Sequence, residues 1–301
     1  MGDVNGVVTA GVTEVPVLLL ETDEGLTGVR LGENADVARV FPALEGQEQD
    51  LVCRPWRRRR DEIAPGTRRE RVEGARREQD MRMRKALVVR GGWEGHDPVG
   101  CTESVMPALE HAGFEVEVAE DLAVYEDAGL LAATDLVVHS WSAGDLTAAQ
   151  EANLVDAVEA GTGFAGWHGG VVATNVANPR YLRMLGGRFL WHPEGFQEFT
   201  VRIAAAPDRD GEIVEGVTDY DVETEHYWVV TDSLNTVLAT SVLTPGPADP
   251  WHEPVEFPVV WTRRWGAGRV FVCTLGHRVA DLRVPQTAAI VGRGLVWAAR
   301  A

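Results

Sequence analysis

The chain has little cysteine, no membrane-length apolar run and a shortage of positive charge. Its 301 residues include three cysteines, Cys53, Cys101 and Cys273. They are too few and too scattered for a disulfide framework, which points to a reducing cytoplasmic setting. No apolar run reaches the ~18–20 residues that a membrane span needs. The stretch Val15–Leu20 is short and lacks a basic segment before it, so it does not read as a secretory signal. No membrane partner is expected. Lys and Arg total 28 against 46 Asp and Glu, a net charge of −18. Phosphate backbones need a basic field, so no nucleic-acid partner is expected either. Methionine is missing between Met1 and Met81.

What is present is unevenly spread. The apolar fraction of 45% supplies an ordinary core, and the length suits one large or two ordinary domains. Residues 1–80 carry a net charge of −4 and residues 81–301 a net of −14. All eight histidines and nine of the ten tryptophans lie in the second part, so the chemistry is expected there. In the first part, Val15–Gly32 reads as two strands joined at Asp23-Glu24-Gly25, followed by a helix over Ala35–Leu44. This stretch, about residues 8–48, resembles the start of the N-terminal capping domain of the enolase superfamily. The barrel that carries catalysis there is lacking, so the resemblance implies no activity. Arg54–Arg60 and Arg68–Arg71 are dense in arginine and poor in apolar residues, the pattern of a solvated linker rather than of a nucleic-acid arm. A complete domain begins directly after Met81 and Met83. Residues 1–80 are therefore expected to be a poorly ordered extension or a truncated fusion remnant, and residues 81–301 an α/β domain.

From residue 85 the chain alternates strand and helix. Lys85–Gly91 is a buried strand, and Val99–Ala112 a helix ending at Gly113, with Pro107 as an expected kink. Phe114–Ala119 reads as a strand near a sheet edge and Asp135–His139 as a short apolar strand. Ala148–Ala160 is an amphipathic helix capped by Thr147, and Gly163–Trp167 is the next strand. Such alternation predicts a parallel, doubly wound sheet. A short helix, Asn178–Leu185, has Pro179 in its first turn. Strand-like segments follow at Glu198–Ala205, His226–Val230, Thr236–Ser241, Val255–Arg263 and Arg269–Leu275, several of them read as antiparallel additions. Thr287–Ala299 closes the chain as a helix.

Open α/β sheets bind ligands beyond the carboxyl ends of their strands. His96, His139, His168 and His277 are all placed at that end of a predicted strand. His96, His168 and His277 also sit beside glycines, where backbone can approach a ligand closely. His139 has the strongest structural alternative, as a buried core residue, and His111 is read as solvent-facing. A second group, His192, His226 and His252, lies in loops, each beside a carboxylate and an aromatic ring. Aromatic faces with polar edges suit a sugar, although tryptophans such as Trp261 equally suit a core.

Five stretches carry a resemblance: Gly91-Gly-Trp-Glu-Gly-His96; Gly166-Trp-His-Gly-Gly170; Leu185-Gly-Gly-Arg-Phe189 with His192-Pro-Glu194; Glu225-His-Tyr-Trp228; and Trp261 through Gly266-Ala-Gly-Arg-Val-Phe271 to Leu275-Gly-His277. Together, over about residues 84–300, they resemble the ThuA-like (trehalose utilisation) family. The resemblance implies a class I glutamine amidotransferase-like fold, a flavodoxin-like three-layer α/β/α sandwich with added antiparallel strands. It also implies a link with disaccharide or keto-sugar catabolism. Amidotransferases carry a cysteine on the strand-to-helix elbow. Here the elbow is Trp167-His168-Gly169-Gly170, with Cys101 and Cys273 elsewhere, so glutaminase chemistry is not expected.

The leading expectation is an enzyme, a hydrolase, lyase or isomerase, acting on a sugar derivative. His96, His168 and His277 supply general acid or base, since imidazole titrates near neutrality, with Glu225 or Glu194 as partner carboxylate. Trp93, Trp141, Trp167, Gly169, Gly170, Arg188, His192, Glu194 and Tyr227 are expected to contact substrate. A variant places a divalent metal, zinc, on some of His96, His168, His192 and His277, although no HxH or HxxxH spacing supports it. The alternative class is a non-catalytic sugar-binding or regulatory module on the same scaffold. The partner expected is a small sugar; the oligomeric state stays open, a homo-oligomer included.

Overall fold

The computed structural model describes residues 83–205 and 208–300. The segment expected over residues 1–80, its strand pair and its arginine-rich stretches lie outside the described residues. Strand β1 (Arg84–Gly92) sets the frame. Successive side chains of a strand point to opposite faces, and here both faces are buried. Ala86 and Val88 enter one core, Leu87 and Val89 the other. Two-sided burial explains why this strand reads as a continuous apolar run.

Helix α1 (Pro98–His111) starts at an Asp97 cap whose carboxylate accepts from the Gly100 N–H at 3.0 Å. The helix runs unbroken through Pro107, which is exposed. Edge strand β2 (Phe114–Ala119), α2 (Ala128–Ala133), β3 (Leu136–Ser142), α3 (Ala148–Glu159) and β4 (Gly163–Trp167) follow. Thr147 and Gln150 make the reciprocal capping box that starts α3. Next come α4 (Gly169–Val172), α5 (Pro179–Leu185), β5 (Gly187–Trp191), β6 (Gln197–Ile203), β7 (Tyr220–Thr224), β8 (Trp228–Thr231) and β9 (Thr236–Leu243). The chain then runs through β10 (Val255–Trp265), β11 (Gly268–Cys273), α6 (Val279–Leu282) and α7 (Pro285–Ala298).

Among the described residues, nine strands form one sheet in the order β2-β1-β3-β4-β11-β10-β9-β6-β7. The first five are parallel, and the remaining four add on antiparallel. Helices α1 and α7 cover one face, and α3 and α5 the other. This is the flavodoxin-like three-layer α/β/α sandwich with antiparallel additions. Because β1, β3, β4 and β11 are parallel neighbours, their carboxyl ends share one edge of the sheet.

Three local expectations differ. Residues 187–191, read as loop, form β5, which pairs with β8 in a separate two-stranded ribbon. The strand expected from His226 begins at Trp228, because His226 turns inward to Ser241 Oγ at 2.8 Å and stacks on Phe199. Strand β3 runs on to Ser142, which leaves His139 inside the strand rather than at its end.

Candidate functional site

Strand β4 ends at Trp167 and the chain turns at His168. The backbone of His168 has φ 49° and ψ −148°, a region L-residues rarely occupy, at a cost on the order of 1–3 kcal/mol. Neighbouring backbone holds the turn in place. The His168 N–H donates to the Cys273 carbonyl of β11 at 2.7 Å, and the His168 carbonyl accepts from Val171 and Val172 at 3.1 and 3.0 Å. The turn delivers a buried imidazole, 1% exposed, to the shared strand-end edge.

Three polar side chains meet the His168 Nε2 there. Glu225 Oε2 lies 3.1 Å away, His277 Nδ1 3.3 Å and the Tyr227 hydroxyl 2.7 Å. His277 Nδ1 is also 3.2 Å from that same Glu225 oxygen. His96 comes from the turn after β1, with its ring edge-on to those of His168 and His277 at centroid distances of 4.8 and 5.1 Å. A Cβ at residue 169 would collide with this ring, so glycine at 169 is what lets His96 close on the elbow. One ligand atom from each of His96, His168, Glu225 and His277 falls within 4.8 Å of the others.

One ring nitrogen on each of two of these imidazoles is already used. His168 Nδ1 lies 2.8 Å from the Thr274 carbonyl, and His96 Nδ1 lies 2.5 Å from Ser142 Oγ. Burial lowers the His168 pKa, outweighing the hydrogen bonds to Glu225 and Thr274 that raise it, and so holds the ring neutral. A neutral imidazole has one N–H, and the Thr274 carbonyl can only accept, so that N–H is at Nδ1. Nε2 therefore presents a lone pair. Tyr227, whose pKa burial and Glu225 push up, keeps its proton and donates to that lone pair. Burial, with His168 and His277 alongside, likewise pulls His96 down to about 3. Burial alone would raise the Glu225 pKa, but its contacts with His168 and His277 outweigh this and hold it below the usual carboxylate range. The same 3.1 Å contact cannot hold both a bare lone pair on Nε2 and a carboxylate stabilised by it. The two repel unless a positive charge, a shared proton or a cation, lies between them.

The remaining candidates divide. His192 reaches the edge of the cluster, its Nε2 3.6 Å from Glu225 Oε1, while its Nδ1 sits 2.6 Å from the Pro193 carbonyl. Glu225, rather than His192, completes the set of four converging donors. Trp93 is exposed beside His96 and His277. Trp167 is buried in the core and has no surface left for a substrate. Trp141 packs beneath Gly91 and against the core. Gly170 packs against the Ser140 backbone. Phe189 faces Tyr227 and His192, so strand alternation sends Arg188 to the opposite, exposed side. Glu194 is exposed in the loop after β5, which leaves Glu225 as the carboxylate of the cluster. His139 is fully buried between Tyr125 and Asn175. His252 and His111 are exposed. Sequence reasoning missed Ser142, Thr274 and the exposed ring of Phe196 beside His277. Ser142 and Thr274 both lie at the carboxyl ends of parallel strands, β3 and β11, a positional signal that Phe196 lacks.

The family model described as ThuA, trehalose utilisation, matches residues 85–298. Among curated proteins none matches the chain. Among solved structures, the chain is similar to a ThuA-like protein from Bacteroides uniformis at 18% identity and TM-score 0.57, covering 72% of this chain and 91% of that one. It is similar to a ThuA-like protein from Parabacteroides merdae at 17% identity and TM-score 0.57, over 72% and 90% of the two chains. A cytoplasmic protein of Salmonella typhimurium LT2 aligns at 15% identity and TM-score 0.53, over 72% of this chain and 100% of the other. At these identities the likenesses establish the fold. No helix among the described residues is long and apolar enough to cross a membrane.

Proposed function

The chain belongs to the ThuA (trehalose utilisation) family, and from that premise we propose that it is a cytoplasmic enzyme acting on a disaccharide or keto-sugar derivative at a divalent metal centre. The ligands are His96, His168, Glu225 and His277. One observation carries the reading. Thr274 occupies Nδ1 of His168 and leaves its Nε2 to meet Glu225 and His277, Ser142 occupies Nδ1 of His96, and one atom from each of the four side chains falls within 4.8 Å of the others. Outer partners of this kind are the usual support of metal-bound histidine. The separations among His168 Nε2, His277 Nδ1 and Glu225 Oε2, 3.1–3.3 Å, make a near-equilateral triangle. That edge is the donor spacing that a tetrahedral site with bonds of about 2.0 Å, the zinc–nitrogen range, would need, and His96 would have to close from within 4.8 Å to complete it.

A metal held there would supply Lewis-acid polarisation of a sugar oxygen or of water. The chain's own residues do the rest. Glu225 balances the cation's charge. Tyr227 stays protonated, and a cation on the His168 lone pair would free its hydroxyl to donate to substrate. His192 stands at the open side of Glu225 to receive a proton.

A second reading has its own support. The 3.1 Å contact between His168 and Glu225, with Tyr227 at 2.7 Å, is also a proton relay, in which His168 and Glu225 act as acid and base with no metal. Metal analysis of untagged protein separates the two. About one zinc, manganese or similar ion per chain, lost in His168→Ala and Glu225→Ala, supports the centre. Less than about 0.1 ion per chain throughout, after addition of each metal, removes it and leaves the relay.

A further inference from the structure

Two aromatic rings stand beside the cluster, outside the hydrophobic core and without a part in holding the donors. Trp93 is 53% exposed and Phe196 39% exposed. Both meet the same imidazole: the Trp93 and His277 ring centroids are 6.5 Å apart at 63°, and those of Phe196 and His277 are 5.2 Å apart at 69°. Trp93 also stands edge-on to His96 at 4.7 Å.

Neither ring is loose. The Trp93 indole lies on the backbone of Gly95, where a Cβ would overlap Cζ2, Cε2 and Cη2 of the ring. Glycine at 95 is thus what seats the indole, leaving its far side open. Phe196 is covered on one side by the Arg278 guanidinium, 4.1 Å from its centroid. That guanidinium is itself fixed by Asp281 at 3.0 Å and by the Glu223 carbonyl at 2.8 Å. A large ring held rigid while exposed loses little freedom on binding a ligand.

The charge around the rings selects the ligand. Arg278 is already paired with Asp281 and Glu223, Glu94 and Glu194 flank the two rings in sequence, and residues 81–301 carry a net of −14. A phosphorylated or acidic sugar meets repulsion here, whereas a neutral ring with apolar faces and hydroxyl edges meets a fitting surface.

We infer that Trp93 and Phe196 form a second sugar subsite, which stacks the non-reacting ring of a neutral disaccharide while the reacting ring enters the histidine cluster. The inference rests on the sugar-enzyme reading above, and makes the protein selective for disaccharide over monosaccharide and over sugar phosphate.

Calorimetric titration of the full-length protein with trehalose, glucose and glucose 6-phosphate tests it, using wild type, Trp93→Ala, Trp93→Phe and Phe196→Ala. The wild type is expected to hold trehalose about 10-fold more tightly than glucose, and glucose 6-phosphate more weakly still. Trp93→Ala and Phe196→Ala each lose about 5- to 10-fold in trehalose affinity, the scale of one stacking contact, with less than 2-fold change for glucose. Trp93→Phe keeps most of the affinity. Unchanged trehalose affinity in both alanine variants overturns the subsite, as does tighter binding of the phosphate or no binding of trehalose by the wild type at tens of millimolar. Metal content measured on the same samples separates the two proposals. Loss of trehalose affinity in a protein that takes up no metal leaves the subsite standing and removes the metal centre. Unchanged affinity in a metal-loaded protein does the reverse.

Discussion

Ser142 Oγ and His96 Nδ1 are 2.5 Å apart, across the carboxyl ends of two paired parallel strands. The contact ties His96, which arrives on the turn after β1, to the rigid sheet and occupies one of its two ring nitrogens.

Ser142→Ala removes that tie without adding bulk. Loss of such an outer partner typically weakens a metal site 10- to 100-fold. Metal affinity measured by competition with a chromophoric chelator is expected to fall in that range, with the fold retained by circular dichroism, and Ser142→Thr to recover part of the loss. Equal affinity in wild type and Ser142→Ala would show that His96 needs no orientation from β3.

The thiols give a negative test of the amidotransferase comparison. Burial pushes both the Cys101 and Cys273 pKa up to about 12, and neither is exposed. Thiolate, not thiol, is the reactive form. In a Cys53→Ser background, native protein at pH 8 is expected to leave a disulfide reagent unreacted over an hour and to titrate both thiols after unfolding in denaturant. Rapid native reaction of either one would reopen a cysteine mechanism.

The reading from sequence succeeded where the parallel sheet does the work. His96, His168 and His277 follow β1, β4 and β11, and parallel strands bring such positions to one edge whatever the loops do. Glu225 was legible from its place beside His226, Tyr227 and Trp228. The apolar run stops at His139, which reads as a strand end, yet β3 continues through Ser140-Trp141-Ser142 by pairing with β1. The β5–β8 ribbon was invisible, since its pairs lie some forty residues apart, as in Arg188 with Val230, and no local turn announces them. The Thr274 contact comes from a backbone carbonyl, which no side chain encodes. Arg188 and Glu194 lie exposed, Arg188 on the side of β5 opposite Phe189, and Trp167 lies in the core.

Acid destabilisation follows from His139. Burial lowers its pKa from 6.5 to about 3, with Tyr125 at 2.7 Å on Nδ1. The folded state thus binds fewer protons than the unfolded state between those values, so stability is full above the unfolded pKa and is lost as pH falls toward 3. At pH 5 this one group costs about 2 kcal/mol relative to pH 8. Urea unfolding of metal-free protein at the two pH values is expected to show at least that loss, and His139→Gln to reduce the difference. An unchanged pH difference in His139→Gln would mean that other groups carry it.

The last prediction concerns the elbow glycine. A Cβ at residue 169 overlaps the His96 imidazole, at Cε1 above all. Gly169→Ala must therefore push His96 off the cluster, at the ~1–3 kcal/mol typical of overpacking, and metal affinity falls with it. The backbone at 169 is helical, the first residue of α4, so alanine itself is acceptable there and the penalty belongs to the collision alone. A double-mutant cycle isolates it. In His96→Ala the clash has no partner, so the stability cost of Gly169→Ala is expected to shrink by 1 kcal/mol or more, within the range measured for residues in contact. If the cost is the same in both backgrounds, the glycine serves the strained turn at His168 rather than the approach of His96, and the cluster closes by some other means.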